Sequence, residues 1–309
     1  MIKVGKIVIY SEKTELAREL VTAALEIQGA ERSVTAVCIN DEEQTRDLAA
    51  RGIAVVNLSA PGVHPSDTAS TARALQQVVD ELEAELVLLA SNRRGKELAG
   101  RLAQRLNAGC LTDVTGMAIQ EGRLACTRNT LGGATVATQF IKTARQVIAV
   151  APRTYEPAAE KPGGSVDDMT VSISAASGIK LVETRARDKD SVDITTADLL
   201  VVVGQGLENQ EDLVRAAALA RFLGGEVACT KPVATDRKWL SEERVIGLSG
   251  KTCKPQLAIL LGISGQVQFT VGIRDARTII AINNDENAPI FQMADYVMVA
   301  DLADVLPPL

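Results

Sequence analysis

The sequence has few residues of the kinds that catalyse reactions. Its 309 residues include one histidine, His64, in the loop PGVHPSD. A His-dependent triad or a His-rich metal site is nearly excluded, and His64 reads as a surface loop residue. Five cysteines, Cys38, Cys110, Cys126, Cys229 and Cys253, are an odd number with no CxxC pair. That pattern disfavours metal clusters and disulfide frameworks. Cys38 and Cys229 sit in apolar runs and read as small buried hydrophobes. No block of Lys and Arg occurs, and the formal net charge is -6, which argues against nucleic-acid or anionic-membrane partners. No apolar run approaches the roughly 18 residues that span a bilayer. The start MIKVGKIVIYSEK enters a strand without the longer apolar core of a secretory signal. A cytoplasmic protein without membrane insertion is expected.

With 46% apolar and 23% charged residues, the composition is that of an ordinary globular protein, and the length allows two domains. In the first half, strands alternate with helices. KIVIY is followed by TELARELVTAALEIQ, where Leu16, Leu20, Ala24 and Ile27 share one helical face. VTAVCI, a short acidic helix from about Asp41, VVNL, the helix STARALQQVVDELEAE, LVLLAS and the helix in SNRRGKELAGRLAQRL follow. The alternation predicts a parallel sheet covered by helices on both faces. From Leu111 to about Thr184 the texture changes to short Thr-rich, Gly-punctuated segments: LTDVTGMAI, LACTRNT, ATVATQF, QVIAVAP and MTVSIS. These read as antiparallel additions.

The polar stretch RARDKDSVD, Arg185 to Asp193, separates the halves, giving domains over 1–188 and 189–309. The second half restarts with LLVVVG and a helix from about Glu211 to Leu223, for which Asn209 is the N-cap. EVACTK, VIGLS, LAILLG, TIIAIN and YVMVAD follow as β-branched strands. Such runs predict a parallel, doubly wound Rossmann-like sheet buried on both faces, with its ligand beyond the strand C-terminal ends. Fold class is therefore α/β in two domains.

Polar and small residues collect at those ends: Gly204-Gln205-Gly206, Thr230-Lys231-Pro232, Ser249-Gly250-Lys251, Gly262 to Gly265, Asn283-Asn284-Asp285 and Asp301. A single Gly-x-Gly is more often only a turn, but six converging ends make a site. Glycines at strand–helix handovers let backbone N–H groups approach an anion, so a ligand with two phosphates fits. Hydroxyls (Thr230, Ser249, Ser264), amides (Gln268, Asn283), Lys231 and Asp301 surround it, without a strong nucleophile–base pair. That suits a cofactor carrying its own chemistry. A nicotinamide-dependent oxidoreductase is a rival reading, but GQGLEN lacks the third glycine of GxGxxG, and Thr230-Lys231 stand where its ribose-binding acid belongs.

The stretch LAILLGISGQVQFTVGI carries a local conflict. Gln266 to Val271 alternates as a strand would. A parallel sheet continuing into TIIAIN instead requires a crossover, so Ser264 to about Gly272 is read as a short helix with its N-terminus toward a diphosphate.

The run GISGQVQFTVGIRDARTIIAINNDENAPIFQMADYVMVADL closely resembles the signature of the electron transfer flavoprotein alpha subunit family. GGEVACTKPVA is similar to its E-V-x-x-S-R-P-V segment, VIGLSGKTCKPQL to its V-G-Q-T-G-K-x-x-x-P-x-L, and LLASNRRGKELAGRLAQRL to a segment of its N-terminal domain. The resemblance implies FAD in the C-terminal domain. It implies that Ser264, Gly265, Gln266, Val267 and Gln268, with Asn283, hold the diphosphate and ribityl chain, and that Asp301 and Leu302 lie near the adenosine. Ile246, Gly247, Leu248 and Ser249 match V-G-Q-T, whose last hydroxyl lies close to flavin N5, and Thr230 and Lys231 lie beside the isoalloxazine.

Three positions depart from the family: Lys231 and Gln205 stand where Arg is common, and Phe269 where His is common. That His faces the pyrimidine edge, where negative charge builds on reduction; Phe can neither donate a hydrogen bond nor carry charge there. Lys keeps the charge of Arg but loses its planar fork. FAD binding is expected to survive, with a less stabilised anionic flavin.

The resemblance further implies a heterodimer with a beta subunit, contacted by the N-terminal domain and carrying AMP or a second FAD. Electrons would come from a flavoprotein dehydrogenase of the acyl-CoA type, in fatty acid beta-oxidation, and go to a downstream redox acceptor. The chain would have no substrate chemistry of its own, and without a CxxC insert no iron–sulfur centre is expected. A third reading is a non-redox nucleotide-binding adaptor in which Phe269 marks loss of flavin function.

Overall fold

A computed structural model describes residues 5–28, 33–133, 135–173, 179, 182–183 and 192–306. The chain forms two compact units, Met1–Thr184 and Arg185–Leu309. The expected boundary between 188 and 189 lies outside the described residues.

The first unit runs β1 (Lys6–Tyr10), α1 (Thr14–Gln28), β2 (Ser33–Ile39), α2 (Glu42–Ala49), β3 (Ala54–Ser59), α3 (Thr68–Glu81), β4 (Leu86–Ala90) and α4 (Arg93–Leu106), then β5 (Gly109–Gln120), β6 (Arg123–Thr130), β7 (Thr135–Phe140), β8 (Gln146–Val150) and β9 (Ser165–Thr170). The sheet order is β7-β6-β5-β8-β4-β1-β2-β3-β9. Successive strand residues feed opposite faces, as the two-residue period of a pleated sheet demands. Val8, Tyr10, Val87 and Leu89 pack with Leu75 and Val79 of α3 and Leu98 and Leu102 of α4, whereas Ile7, Ile9, Leu86 and Leu88 pack with Leu20 and Ala24 of α1. Asp41, Asp67 and Asn92 cap α2, α3 and α4, each accepting a first-turn amide.

The antiparallel expectation holds for only part of the second stretch. β5, β6 and β7 pair antiparallel, but β8 lies fully buried between β4 and β5 and parallel to both, and β9 lies parallel to β3. Val147 and Ile148 bury on opposite faces, which makes β8 a central strand instead of an addition.

The second unit contains β10 (Leu199–Val203), α5 (Gln210–Phe222), β11 (Glu226–Cys229), α6 (Lys231–Thr235), β12 (Leu257–Leu261), α7 (Val267–Thr270), β13 (Ile279–Asn283), β14 (Tyr296–Val299) and α8 (Leu302–Val305). The order is β11-β10-β12-β13-β14, parallel throughout. Asn209 caps α5 by accepting the Asp212 amide at 3.0 Å. Val201, Val203, Ile259 and Leu261 face α5, α6 and α8; Leu200, Val202, Ala258 and Leu260 face Phe269 of α7 and Ile290.

Two expectations change here. VIGL forms no strand; Val245 and Ile246 make only isolated bridges, to Cys229 and Lys251, because the chain reverses at once through Gly247. β14 is not buried: Tyr296, Val297, Met298 and Val299 are 65%, 49%, 48% and 55% exposed, since β14 is an edge strand. No helix among the described residues is long and apolar enough to cross a membrane.

Candidate functional site

From β10 the second unit winds one way to β11 and then the other way to β12 and β13, so its topological switch point lies between β10 and β12. In open α/β sheets the crevice beyond this point takes the ligand. Here it is bounded by Gly204-Gln205-Gly206 after β10 and Gly262 to Gly265 after β12. The Gly204 amide donates to the Leu261 carbonyl oxygen and the Gly206 amide to the Gly262 carbonyl oxygen, both at 2.9 Å. A Cβ on Gly206 would lie 2.7 Å from the Gly262 Cα, so these glycines are required first by the contact of one loop with the other. Gly262 and Gly265 also have positive φ, 60° and 95°.

The remaining expected residues gather on neighbouring turns of the same unit. Thr230 follows β11 and is the N-cap of α6, yet its Oγ1 is buried without a hydrogen-bond partner. Lys231, next to it, is exposed. Ile246 is buried, and its amide donates to the Cys229 carbonyl oxygen at 3.0 Å, which lays the turn Gly247-Leu248-Ser249 beside the end of β11. Gly247, with φ of 129°, adopts a conformation closed to other residues. The Leu248 amide donates to the Gln268 carbonyl oxygen at 2.8 Å, so the Ser249 turn and the α7 segment touch. Leu248 and Ser249 themselves are exposed.

In the α7 segment, Ser264, Gln266, Val267 and Gln268 are exposed and Gly265 is half-buried, whereas Phe269 is only 6% exposed. Phe269 packs in the apolar cluster with Ile246, Cys253 and Ile273. The expected helix is present but has four residues, Val267–Thr270, with Gln266 as an N-cap that makes no side-chain bond. One turn carries little macrodipole, so anion affinity here would rest on single N–H groups. Asn283 donates from Nδ2 to the Ile263 carbonyl oxygen at 2.9 Å and accepts the Asp285 amide at 3.0 Å, which ties the end of β13 to the glycine loop. Asp301 is the exposed N-cap of α8 without a side-chain cap bond, and Leu302 is buried behind it.

Arg237 was not singled out by the sequence. Its guanidinium donates to the Gln205 carbonyl oxygen at 3.0 Å and to that of Leu207, and lies 4.5 Å from the centroid of the Trp239 ring. The only local hint is that the chain's single tryptophan follows Arg237 by two residues.

The donor set fits a large polar cofactor. A buried orphan hydroxyl (Thr230), caps without side-chain bonds (Gln266, Asp301) and exposed hydroxyl and amide groups (Ser249, Ser264, Gln268) leave hydrogen-bonding capacity around the two contacting glycine loops. None of the hydroxyls of Thr230, Ser249 and Ser264 hydrogen-bonds a carboxylate or imidazole among the described residues, so the rim has no activated nucleophile. The Cys229 thiol beneath the rim does not supply one either: burial pushes it up to about 12.

Comparison with known proteins agrees with the geometry. A family model described as "Electron transfer flavoprotein FAD-binding domain" matches residues 193–274. One described as "Electron transfer flavoprotein domain" matches residues 11–176, more than half of the 309 residues. The chain is 40% identical over 225 residues to Protein FixB of Escherichia coli O1:K1 / APEC, covering 72% of each protein, and to the same extent to Protein FixB of Escherichia coli O127:H6 (strain E2348/69 / EPEC). A match to the crystal structure of Acinetobacter baumannii MurG covers 90% of this chain and 71% of that chain at a TM-score of 0.30 and 11% identity. FAD is the cofactor of the matched domain, and the chain belongs to the electron transfer flavoprotein alpha family.

Proposed function

We propose that the chain is the FAD-binding alpha subunit of a cytoplasmic heterodimer that accepts electrons from a flavoprotein dehydrogenase of the acyl-CoA type, in fatty acid beta-oxidation, and delivers them to a second redox protein. The first domain, over 1–188, contacts a beta subunit; the second, over 189–309, holds the cofactor. The observation that carries this reading is the rim itself: neutral hydrogen-bonding groups around paired glycine loops, with a buried hydroxyl at Thr230 awaiting a partner and no acid–base pair. When bound, FAD supplies the one- and two-electron chemistry.

The chain's residues bind and orient. The amides of Gly204, Gly206 and Gly262 are engaged within the protein, so the diphosphate is assigned to the segment after Gly262, with Ser264, Gln268 and Asn283 bordering its path. Thr230 and Ser249 offer hydroxyls beside the isoalloxazine, and exposed Lys231 places one positive charge there. No residue of the rim is assigned substrate chemistry.

The test is a visible spectrum of the chain purified together with its beta subunit, followed by anaerobic addition of an acyl-CoA dehydrogenase and its substrate. Flavin absorbance that bleaches on addition is expected. A colourless protein that binds NAD would establish the nicotinamide reading, and one without flavin even when co-expressed with the beta subunit would establish the adaptor. Flavin that stays oxidised would remove the acyl-CoA donor.

A further inference from the structure

We propose that Arg237 is a positioning residue of the FAD site: its guanidinium, held flat by Trp239, clamps the Gln205–Leu207 loop into its binding conformation. The inference rests on the reading of the rim as the FAD site and adds a residue to it.

The clamp is assembled locally. After α6 the Arg237 amide donates to the Pro232 carbonyl oxygen at 3.1 Å. Lys238 then takes a left-handed conformation, φ 55°, which is uncommon for a residue with a side chain and reverses the chain here. That turn brings the Trp239 amide back to the Val233 carbonyl oxygen at 3.1 Å and lays the indole under the guanidinium, 4.5 Å from carbon to ring centroid. A guanidinium over an indole face is attracted to the ring and loses rotational freedom, so its fork is pre-oriented.

One terminal nitrogen then donates to the Gln205 carbonyl oxygen at 3.0 Å and the other to that of Leu207. Two carbonyls two residues apart are held by one planar group, which a lysine ammonium on its single stem cannot reproduce. Between them, the Gly206 amide is engaged by the Gly262 carbonyl oxygen at 2.9 Å. The loop after β10 is thus fixed from two directions.

Two consequences bear on the cofactor. A loop ordered before binding need not be ordered at binding, which strengthens affinity without a new contact. The carbonyl oxygens of Gln205 and Leu207 carry partial negative charge in the loop assigned to the cofactor; engaged by a cation, they repel an anion there less. Charge and placement are both supplied by a residue about thirty positions along the chain from its partners.

The test uses the full chain, freed of FAD, with two readouts: FAD affinity by flavin fluorescence, and amide hydrogen exchange of the apo protein. Arg237→Lys is expected to weaken FAD binding about tenfold. It should also release protection at Gly206 and Leu207 while Val201, Val202 and Val203 of β10 stay protected. A purely structural arginine would move loop and strand protection together, and that result would overturn the proposal, as would Arg237→Lys with unchanged affinity and loop protection. Should Arg237→Lys fail to fold, Trp239→Leu decides, because it keeps the guanidinium and an apolar side chain against the core while removing the ring face that orients the guanidinium. About threefold weaker FAD binding with faster exchange at Gly206 is expected for that variant, and unchanged values would sink the clamp. Failure of the unsubstituted chain to bind FAD would instead reject the site, while the apo exchange data would still report on the clamp.

Discussion

Gly206 and Gly262 meet backbone to backbone: the amide of one donates to the carbonyl oxygen of the other at 2.9 Å, and neither position has room for a Cβ against its partner's Cα. The loops that bound the cofactor crevice therefore support each other. Gly206→Ala is expected to destabilise the second unit by about 1–3 kcal/mol through overpacking. Gly262→Ala should cost roughly 1–2 kcal/mol more, because its φ of 60° is left-handed. Urea midpoints of the apo chain check the order. Equal effects of the two variants would mean that the left-handed φ of Gly262 adds nothing.

Thr230 separates binding from stability. Its Oγ1 is buried without a partner in the apo chain, and such a group costs about 1–3 kcal/mol. Thr230→Val keeps the shape and removes that group, so the apo protein should become more stable by about 1 kcal/mol. The same variant should bind FAD about five- to tenfold more weakly, the equivalent of one lost hydrogen bond. A thermal melt of the apo chain and an FAD titration suffice. Loss of stability in the valine variant would mean that the hydroxyl has a partner after all.

How much of this was readable in the sequence depends on whether the determinant is local. Helices α1 and α4 declare themselves through apolar spacing and, for α4, through its Asn92 cap. The parallel sheet of the second unit follows from runs such as LLVVV and LAILL, whose residues bury on both faces. Pairing direction is not local: QVIAV looks the same whether it joins β4 in parallel or β7 in antiparallel, and it joins β4. YVMV likewise has the apolar pattern of a central strand but sits at an edge. At the site, the glycines and hydroxyls were readable as a rim. That Gly206 must be glycine because of Gly262 was not, and Arg237 left almost no trace because its partners are backbone carbonyls, which have no letter in a sequence.

Phe269 shows the same limit from another side. The resemblance places a polar residue at this position, whereas the side chain here is 6% exposed among Ile246, Cys253 and Ile273. Phe269→His would put an imidazole into that cluster and is expected to cost about 2–4 kcal/mol. Burial holds a histidine's folded pKa below its unfolded value of about 6.5, so the unfolded state binds the extra proton and the variant weakens further as pH falls through that value. Urea midpoints at pH 8 and pH 5.5 should diverge from those of the parent chain. A variant equally stable at both would mean that the ring has turned out of the core and reaches solvent or the cofactor.

In the first unit, Asp47 joins two helices and a connecting segment through two arginines. Arg18 donates to its two oxygens, Arg51 donates to Oδ1 at 3.0 Å, and Arg51 also donates to the Ala158 carbonyl oxygen at 3.0 Å. The hydrogen bonds from Arg18, opposed by partial burial and reinforced by Arg51, hold the Asp47 carboxyl below the usual carboxylate range. A depressed carboxylate contributes stability that is present above its unfolded value of about 3.9 and is lost as pH falls through its lower folded value. Asp47→Asn should therefore destabilise the first unit by about 2 kcal/mol at pH 7, the scale of hydrogen bonds to a charged group. The difference should shrink progressively below pH 4, where the parent chain protonates too. Amide exchange of Ile7 to Ile9 in β1, followed for both proteins between pH 3 and pH 7, measures it; a gap independent of pH would show that geometry and not charge makes the contribution.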